Sequence, residues 1–182
     1  VDAARVAAGT GARLLSETFP ARLERGAGRP VVERLSYLGD FASLQLQGLR
    51  HLVVVDTSSP VTFFAYPDKR SDLVPEGCEV TVLADGNDDV EGALAALAEA
   101  VGAPDAPPVQ EAARPERPTG ALTAETVAQA VGALLPEGAI VSDESITSGL
   151  FAPGHTAGAP PHDWLTLTGG AIGQGLPVAV GA

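Results

Sequence analysis

Two short segments in the second half of the chain combine glycine, hydroxyl and carboxylate groups directly after apolar runs. Residues 143–148 have the sequence Asp-Glu-Ser-Ile-Thr-Ser and follow a run that ends at Ser142. Residues 168–175 have the sequence Thr-Gly-Gly-Ala-Ile-Gly-Gln-Gly and follow a run that ends near Leu167. In an open α/β sheet, ligands bind beyond the carboxyl ends of strands, where unpaired N–H groups attract anions. Together the segments predict a site for a phosphorylated, partly aromatic cofactor, because glycines admit a ligand to the backbone and hydroxyls add donors.

Each segment by itself is a weak signal. The glycines at 169, 170, 173 and 175 lack the spacing of dinucleotide-binding and phosphate-binding loops. Tight packing explains these glycines as well as ligand contact does. Glu144 has the chemistry of a catalytic carboxylate, but a single acid after a strand is more often a cap or a solvated residue. The three histidines have no metal-ligand spacing and are expected at the surface or in loops. From the residues alone, the prediction ends at an anion-accepting crevice.

The charge of the chain argues against two classes of partner. It has 182 residues with 23 acidic and 11 basic ones, for a net charge of −12, and no segment concentrates Lys or Arg. Nucleic-acid binding requires a basic surface, so we expect neither a nucleic-acid partner nor a membrane surface.

Cys78 is the single cysteine, which rules out an internal disulfide. With no membrane span or targeting peptide visible, we expect a cytoplasmic protein.

The first half of the chain alternates strand and helix patterns. Strands are predicted at the apolar runs 12–16, 51–56 and 79–83. Helices are predicted at 3–8, stopped by glycines, and at 90–101, with Asn87 or Asp88 as cap and Gly102 as stop. The continuous run 51–56 is typical of a parallel strand buried on both faces. This alternation predicts a Rossmann-like three-layer unit over residues 1–102.

A proline-rich linker and a second α/β unit follow. Residues 103–120 contain five prolines, which favour a stiff interdomain tether over the alternative of a proline-rich ligand for another protein. In the unit over residues 121–182, Thr123 is predicted to cap a helix, with Leu122 packing on Val127. The buried stripe of that helix is predicted as Val127, Ala130, Val131 and Leu134. Strands at 139–142 and 164–168 and a closing helix that begins near Pro177 complete the unit.

The chain is expected to be a piece of a longer protein. It contains no Met, and its last residues are small and apolar, whereas the termini of complete domains are usually solvated. Residues 121–182 also supply too few strands to close a sheet, which would leave an unpaired edge.

Four sequence motifs resemble those of thiamine-diphosphate-dependent enzymes. Residues 168–182, TGGAIGQGLPVAVGA, closely resemble the region where the cofactor-binding domain of that family begins. Residues 144–147 resemble the Glu-Ser-Thr-Ser turn of benzoylformate decarboxylase, and residues 17–22 and 63–67 resemble the middle domain of acetolactate synthase large subunits. The resemblance covers nearly the whole chain. It implies an α/β fold with a Rossmann-like parallel-sheet middle domain, followed by a truncated α/β thiamine-diphosphate-binding domain.

The resemblance also places five residues in the cofactor-binding site: Ile146, Thr147, Gly169, Gly170 and Ile172. Gly170, which follows Gly169, matches the position whose backbone carbonyl accepts a hydrogen bond from the 4′-amino group of the cofactor. Ile172 matches the apolar wedge that holds the cofactor bent, with that amino group beside the thiazolium C2. Ile146 and Thr147 match the turn that contacts the diphosphate. An amino group held close to C2 can take its proton, and the cofactor then serves as an electron sink for a 2-oxo acid that loses carbon dioxide.

The remaining machinery is expected outside the chain. By resemblance, the Mg²⁺ motif lies downstream of Ala182 and the activating glutamate upstream of Val1, so we expect no catalytic or metal residue here and no activity of the chain alone. In the family that glutamate comes from a second subunit, which implies a homodimer or homotetramer. Residues 146–150 and 56–60 depart from the acetolactate synthase turn and from its loop near the flavin. The first departure weakens the case for acetolactate chemistry as such, and the second weakens the case for FAD.

We therefore predict a segment of a thiamine-diphosphate-dependent transferase or lyase. Its substrate would be a small 2-oxo acid, decarboxylated with or without carboligation as in acetolactate synthase. A benzoylformate-type decarboxylase is a close alternative. A non-catalytic degenerate relative, or a Rossmann-like binding and assembly module, is the alternative of another class, because the chain lacks both metal ligands and an activating acid.

Overall fold

The computed structural model describes all 182 residues, which form two compact units. The first unit contains residues 1–18 and 32–107, and the second contains residues 19–31 and 108–182. Residues 19–31 thus join the second unit, although they lie within the segment predicted as the first domain. The domain boundaries predicted for the intact protein stay a prediction.

The chain contains six helices and seven strands. They are α1 (Asp2–Thr10), β1 (Leu15–Ser16), β2 (Leu23–Arg25), β3 (Glu33–Arg34), α2 (Gly39–Leu46), β4 (His51–Val55), β5 (Glu79–Ala84), α3 (Val90–Ala100), α4 (Ala124–Leu134), β6 (Ile140–Ser142), α5 (Ala152–Thr156), β7 (His162–Leu165) and α6 (Gly175–Gly181). A 3₁₀ turn, Thr168–Gly170, precedes α6. Each predicted helix and strand is present within a few residues of its predicted place. None of the helices combines the length and apolar character that a membrane crossing requires.

The first unit contains the parallel strand pair β4 and β5. His51 lies opposite Glu79, and the register shifts after Val54. The expected burial of β4 on both faces is wrong, because Val54 is buried whereas Val53 is exposed. Val82 of β5 is also 64% exposed. A sheet of only two strands, with α3 packed on β5, leaves part of its surface without a covering layer.

A small apolar core lies under α2 in the first unit. It consists of Leu35, Ala42, Leu46 and Leu73, with Leu15 and Leu49 packed against it.

The pKa of Glu33 lies below its ordinary value, because the Arg13 side chain and then the Gln45 side chain donate hydrogen bonds to its carboxylate. Helix α3 is capped by Asp89, whose side chain accepts a hydrogen bond from the Gly92 N–H. The cap predicted at Asn87 or Asp88 is therefore wrong by one or two residues.

The second unit contains a three-stranded sheet in the order β2–β7–β6. β6 runs parallel to β7, and β2 runs antiparallel to β7 on its other side. Trp164 lies in the central strand and is 3% exposed, and the Arg25 guanidinium lies 4.9 Å from the centre of its ring. The far edge of β6 has no partner strand. Strand β2, which the sequence did not indicate, shields β7 and brings residues 19–31 into this unit.

Helix α4 begins as predicted but buries a different face. The Thr123 hydroxyl accepts a hydrogen bond from the Thr126 N–H at 3.1 Å. The predicted buried stripe is wrong, because Val127 and Leu134 are exposed, and Leu122 is too exposed to form a buried staple. These residues line an open groove of about 590 Å³. The buried positions of the helix are Ala128 and Gly132, because small residues let α5 approach its backbone closely.

The proline-rich segment 103–120 contains no helix or strand, as predicted. Its later part is nevertheless attached to the second unit. Gln110 exchanges backbone hydrogen bonds with Gly28 and Arg29, both at 2.9 Å. The Arg114 guanidinium donates to two carbonyl groups at the end of α4, at 2.8 and 2.9 Å. From residue 110 onward the segment therefore packs as part of the unit.

The close approach of α4 and α5 predicts a sharp difference between two glycine substitutions. A Cβ at Gly132 would overlap the His155 carbonyl oxygen, whereas a Cβ at Gly154 would meet no atom of another element within 4 Å. We expect Gly132→Ala to lower the free energy of unfolding of the chain by about 1–3 kcal/mol, because the helices must separate. Gly154→Ala should leave that free energy unchanged or raise it slightly. Urea unfolding followed by Trp164 fluorescence measures both, and equal midpoints would contradict this packing.

Candidate functional site

The carboxyl ends of β6 and β7 bring the two predicted turns together. Ser142 at the end of β6 lies opposite Leu165 at the end of β7. The Asp143 N–H continues the ladder by donating to the Leu165 carbonyl at 2.8 Å. The Ser142 hydroxyl reaches the other turn and donates to the Gly175 carbonyl at 2.8 Å. Residues 143–148 and 168–175 therefore lie at one edge of the sheet, as the sequence predicted.

Two carboxylates tie the β6 turn to its surroundings. Asp143 accepts hydrogen bonds from the Trp164 indole N–H at 3.0 Å and from the Ser145 N–H at 2.9 Å. Glu144 accepts two backbone hydrogen bonds, from the N–H groups of Gly173 and Gly175, the second at 2.5 Å. Glu144, for which the sequence left a catalytic or a capping role open, thus binds the backbone of the neighbouring turn. No local sequence pattern indicated this contact, because its partners lie 29 and 31 residues away.

The glycines of residues 168–175 are required by backbone geometry. Gly169, Gly170 and Gly173 have φ angles of 61°, 68° and 97°, in the left-handed region that L side chains rarely adopt. A Cβ at Gly175 would lie 2.7 Å from the Cβ of Glu144, which is too close for any side chain. Conformation and packing therefore account for all four glycines, whether or not a ligand also uses them.

The functional groups of the five predicted cofactor-binding residues are free. The Gly170 carbonyl accepts no hydrogen bond from the chain, and Gly169 has no atom within 4 Å of a Cβ placed on it. The backbone N–H groups of Ile146 and Thr147 and the Thr147 hydroxyl have no partner within the chain. Ile172 is 90% exposed. One acceptor, several donors and an apolar side chain are thus available at the joined turns, and the five assignments stay predictions.

Strand β7 also carries a buried imidazole. His162 is 4% exposed, so the expectation that the histidines lie at the surface or in loops is wrong for this residue. Its Nδ1 lies 2.8 Å from the Pro160 carbonyl oxygen, and its Nε2 is buried without a partner. Burial lowers the pKa of His162, and the nearby positive charge of Arg25 acts in the same direction. The neutral imidazole is therefore the form that the fold stabilises.

Comparison with known proteins identifies a relative of this chain. No protein-family model matches it. A protein of Mycobacterium tuberculosis (strain ATCC 25618 / H37Rv), provisionally named acetolactate synthase large subunit IlvX, is 60% identical over 180 residues. The chain is homologous to one segment of this acetolactate synthase large subunit-like protein. The aligned residues cover 99% of the chain and 35% of IlvX, so the chain spans little more than a third of the relative's length. The family resemblance found in the sequence is confirmed.

The fold is also similar to that of a solved enzyme. The X-ray structure of a provisionally assigned thiamin diphosphate-dependent enzyme from Mycobacterium smegmatis superimposes with a TM-score of 0.63 at 21% sequence identity. The match covers 99% of this chain and 38% of that chain. Identity this low establishes the fold alone. The predicted fold class, α/β with parallel pairing as in a thiamine-diphosphate-dependent enzyme, is confirmed.

The lowered pKa of His162 predicts a loss of stability in mild acid. Because the unfolded imidazole binds a proton more readily than the folded one, the contribution of His162 is complete above its ordinary pKa of about 6.5. It is lost progressively as the pH falls below that value toward the lowered pKa. We expect the free energy of unfolding in urea to decrease between about pH 7 and pH 5, and to decrease less in His162→Gln. An unchanged slope in His162→Gln would contradict this assignment.

Proposed function

We propose that this chain is part of a thiamine-diphosphate-dependent enzyme that acts on a 2-oxo acid. The observation that carries the proposal is the joining of residues 143–148 and 168–175 at one sheet edge, with the Gly170 carbonyl and the Ile172 side chain left free. Two similarities support it. IlvX is named as an acetolactate synthase large subunit, and the Mycobacterium smegmatis enzyme is described as thiamin diphosphate-dependent.

The free groups of the joined turns fit the chemistry of this cofactor. The Gly170 carbonyl would accept a hydrogen bond from the 4′-amino group of the aminopyrimidine, and a Cβ at the preceding Gly169 would meet no atom within 4 Å. Ile172 would support the bent conformation that places the amino group beside C2. The N–H groups of Ile146 and Thr147 and the Thr147 hydroxyl would donate to the diphosphate. When bound, thiamine diphosphate supplies an electron sink for the carbanion that decarboxylation leaves.

Other parts of the proposal concern the intact protein. We propose that Mg²⁺ accompanies the diphosphate and is held outside this segment, since the segment has no group of three or more His, Cys, Asp or Glu side chains placed to hold a metal ion. The activating glutamate would come from a second subunit of a homodimer or homotetramer. The cytoplasmic location, the expectation against FAD and the inactivity of the chain alone stay predictions.

The course of the reaction after decarboxylation distinguishes two substrate chemistries. Neither of the similar proteins is named as a benzoylformate decarboxylase, so we propose the acetolactate synthase-like course, with decarboxylation alone as the second outcome. The departures at residues 146–150 and 56–60 from the acetolactate synthase motifs mean that the acceptor carbonyl must be identified by product analysis.

Cofactor binding by the intact protein tests the proposal. We expect isothermal titration calorimetry to detect binding of thiamine diphosphate in the presence of Mg²⁺. Turnover of pyruvate and of an aromatic 2-oxo acid, followed by product analysis, then separates the two courses. A new carbon–carbon bond indicates carboligation, and an aldehyde alone indicates simple decarboxylation. Failure of the intact protein to bind the cofactor would contradict the proposal and favour a non-catalytic module.

The wedge role assigned to Ile172 predicts a loss of turnover without a loss of stability. Its side chain is almost fully exposed and therefore contributes little to packing within the chain. We expect Ile172→Ala in the intact protein to lower kcat by about 100-fold, because a misplaced reacting group carries a cost of that order. The melting temperature should stay near that of the wild type. Val31→Ala, at another exposed aliphatic residue of the second unit, serves as the control, and equal activity of the two variants would refute the assignment.

A further inference from the structure

The sequence of residues 168–175 does not by itself fix the backbone conformation of the turn that they form. Three of its glycines have positive φ angles, and glycine reaches many other conformations at little cost. Within the turn, the backbone hydrogen bonds from Ala171 to Thr168 and from Gln174 to Ala171 are both 3.3 Å long. A segment of this composition loses much conformational entropy when it is ordered. Within the turn, the Thr168 hydroxyl also donates to the Gln174 side-chain oxygen at 2.7 Å, and contacts from outside the turn supply the remaining constraint on its backbone.

Glu144 supplies the strongest of these outside contacts. Its carboxylate accepts the N–H groups of both Gly173 and Gly175, and we call this pair of hydrogen bonds the Glu144 clamp. Bonds to an ionised acceptor are stronger than neutral ones, and two bonds from one carboxylate fix the orientation of the turn as well as its position. The Ser142 hydroxyl adds a third contact, to the Gly175 carbonyl. Ile172 directly precedes the first anchored N–H group.

Glu144 is itself held in place by a contact between its neighbour in the chain and the sheet. The preceding residue, Asp143, accepts the indole N–H of the buried Trp164 at 3.0 Å. A side chain at position 175 would remove the space that the carboxylate occupies, since a Cβ there would lie 2.7 Å from the Glu144 Oε2. The Glu144 carboxylate can therefore take this position only because residue 175 is a glycine.

We infer that Glu144 is a positioning residue for the cofactor-binding turn. Its carboxylate holds residues 168–175 in the conformation that presents the Gly170 carbonyl and the Ile172 side chain before any ligand arrives. Binding to a turn ordered in advance carries a smaller entropic cost. The cofactor in this inference rests on the proposed function, whereas the clamp rests on the hydrogen bonds alone. Glu144 acts through the turn and is not assigned a contact with reacting atoms.

Hydrogen–deuterium exchange of the 182-residue chain tests the clamp. In Glu144→Ala we expect backbone exchange within residues 169–176 to accelerate about tenfold or more, because both hydrogen bonds are lost. Glu144→Gln keeps one acceptor oxygen and should give a smaller acceleration. Gly175→Ala leaves the carboxylate but blocks its approach, and should also accelerate exchange in this segment. Glu137→Gln is the matched control, because Glu137 is exposed and has no polar partner.

The pattern of exchange decides the result. Acceleration confined to residues 169–176, with β2 and β7 unchanged, supports the clamp. Unchanged exchange of this segment in Glu144→Ala overturns it. Equal acceleration throughout the second unit would mean that Glu144 stabilises the fold in general, and this result also overturns the inference.

Cofactor affinity of the intact protein separates the inference from the proposed function. We expect Glu144→Gln to raise the dissociation constant for thiamine diphosphate about tenfold, as the loss of one charge-assisted hydrogen bond corresponds to a factor of that order. Glu137→Gln should bind like the wild type. If the wild type does not bind thiamine diphosphate, the proposed function fails and the exchange result still decides the clamp. If the wild type and Glu144→Gln bind equally tightly, the positioning role fails and the proposed function stands.

Discussion

The parallel register between β6 and β7 is the constraint on which the candidate site depends. Val141 lies opposite Trp164, and Ser142 lies opposite Leu165. Because the strands run in the same direction, the turns that follow them leave the sheet at the same edge. A slip of one residue would reverse the face on which each side chain of the shifted strand points, and Ser142 and Glu144 would lose the backbone groups that they contact. The geometry of the site therefore depends on the few residue pairs that align β6 with β7.

Trp164 connects this register to the turns. It occupies the central strand, lies under the Arg25 guanidinium and is almost fully buried. Its one polar group, the indole N–H, is satisfied by Asp143, as buried polar groups generally require. This single contact lets the packed interior of the sheet fix the residue that precedes Glu144. By contrast, the unpaired Nε2 of His162 in the same strand opposes stability, and such a group typically costs about 1–3 kcal/mol.

Local patterns predicted the elements well and their burial poorly. The cap at Thr123 and the apolar run 51–55 were recognisable because capping and strand formation depend on neighbouring residues. The stripe that contains Val127 and Leu134 was expected to be buried, yet it faces an open groove. Burial depends on which element packs against a face, and α5 packs against the small residues of α4 instead. Very short elements such as β2 carry no periodic signal and were missed for that reason.

The sequence by itself determined the α/β class, the family resemblance and the chemical groups of residues 143–148 and 168–175. The tertiary structure decided which of those groups are free and which are engaged. Ile172 and the Gly170 carbonyl are free, whereas the Glu144 carboxylate holds two N–H groups far along the chain. Residues 19–31 likewise belong to the second unit through tertiary contacts, which include the pairing of β2 with β7 and the backbone hydrogen bonds of Gly28 and Arg29 with Gln110. The physical reason is that helix caps and glycine conformations are local properties, while hydrogen-bond partners distant in sequence are fixed only when strands align.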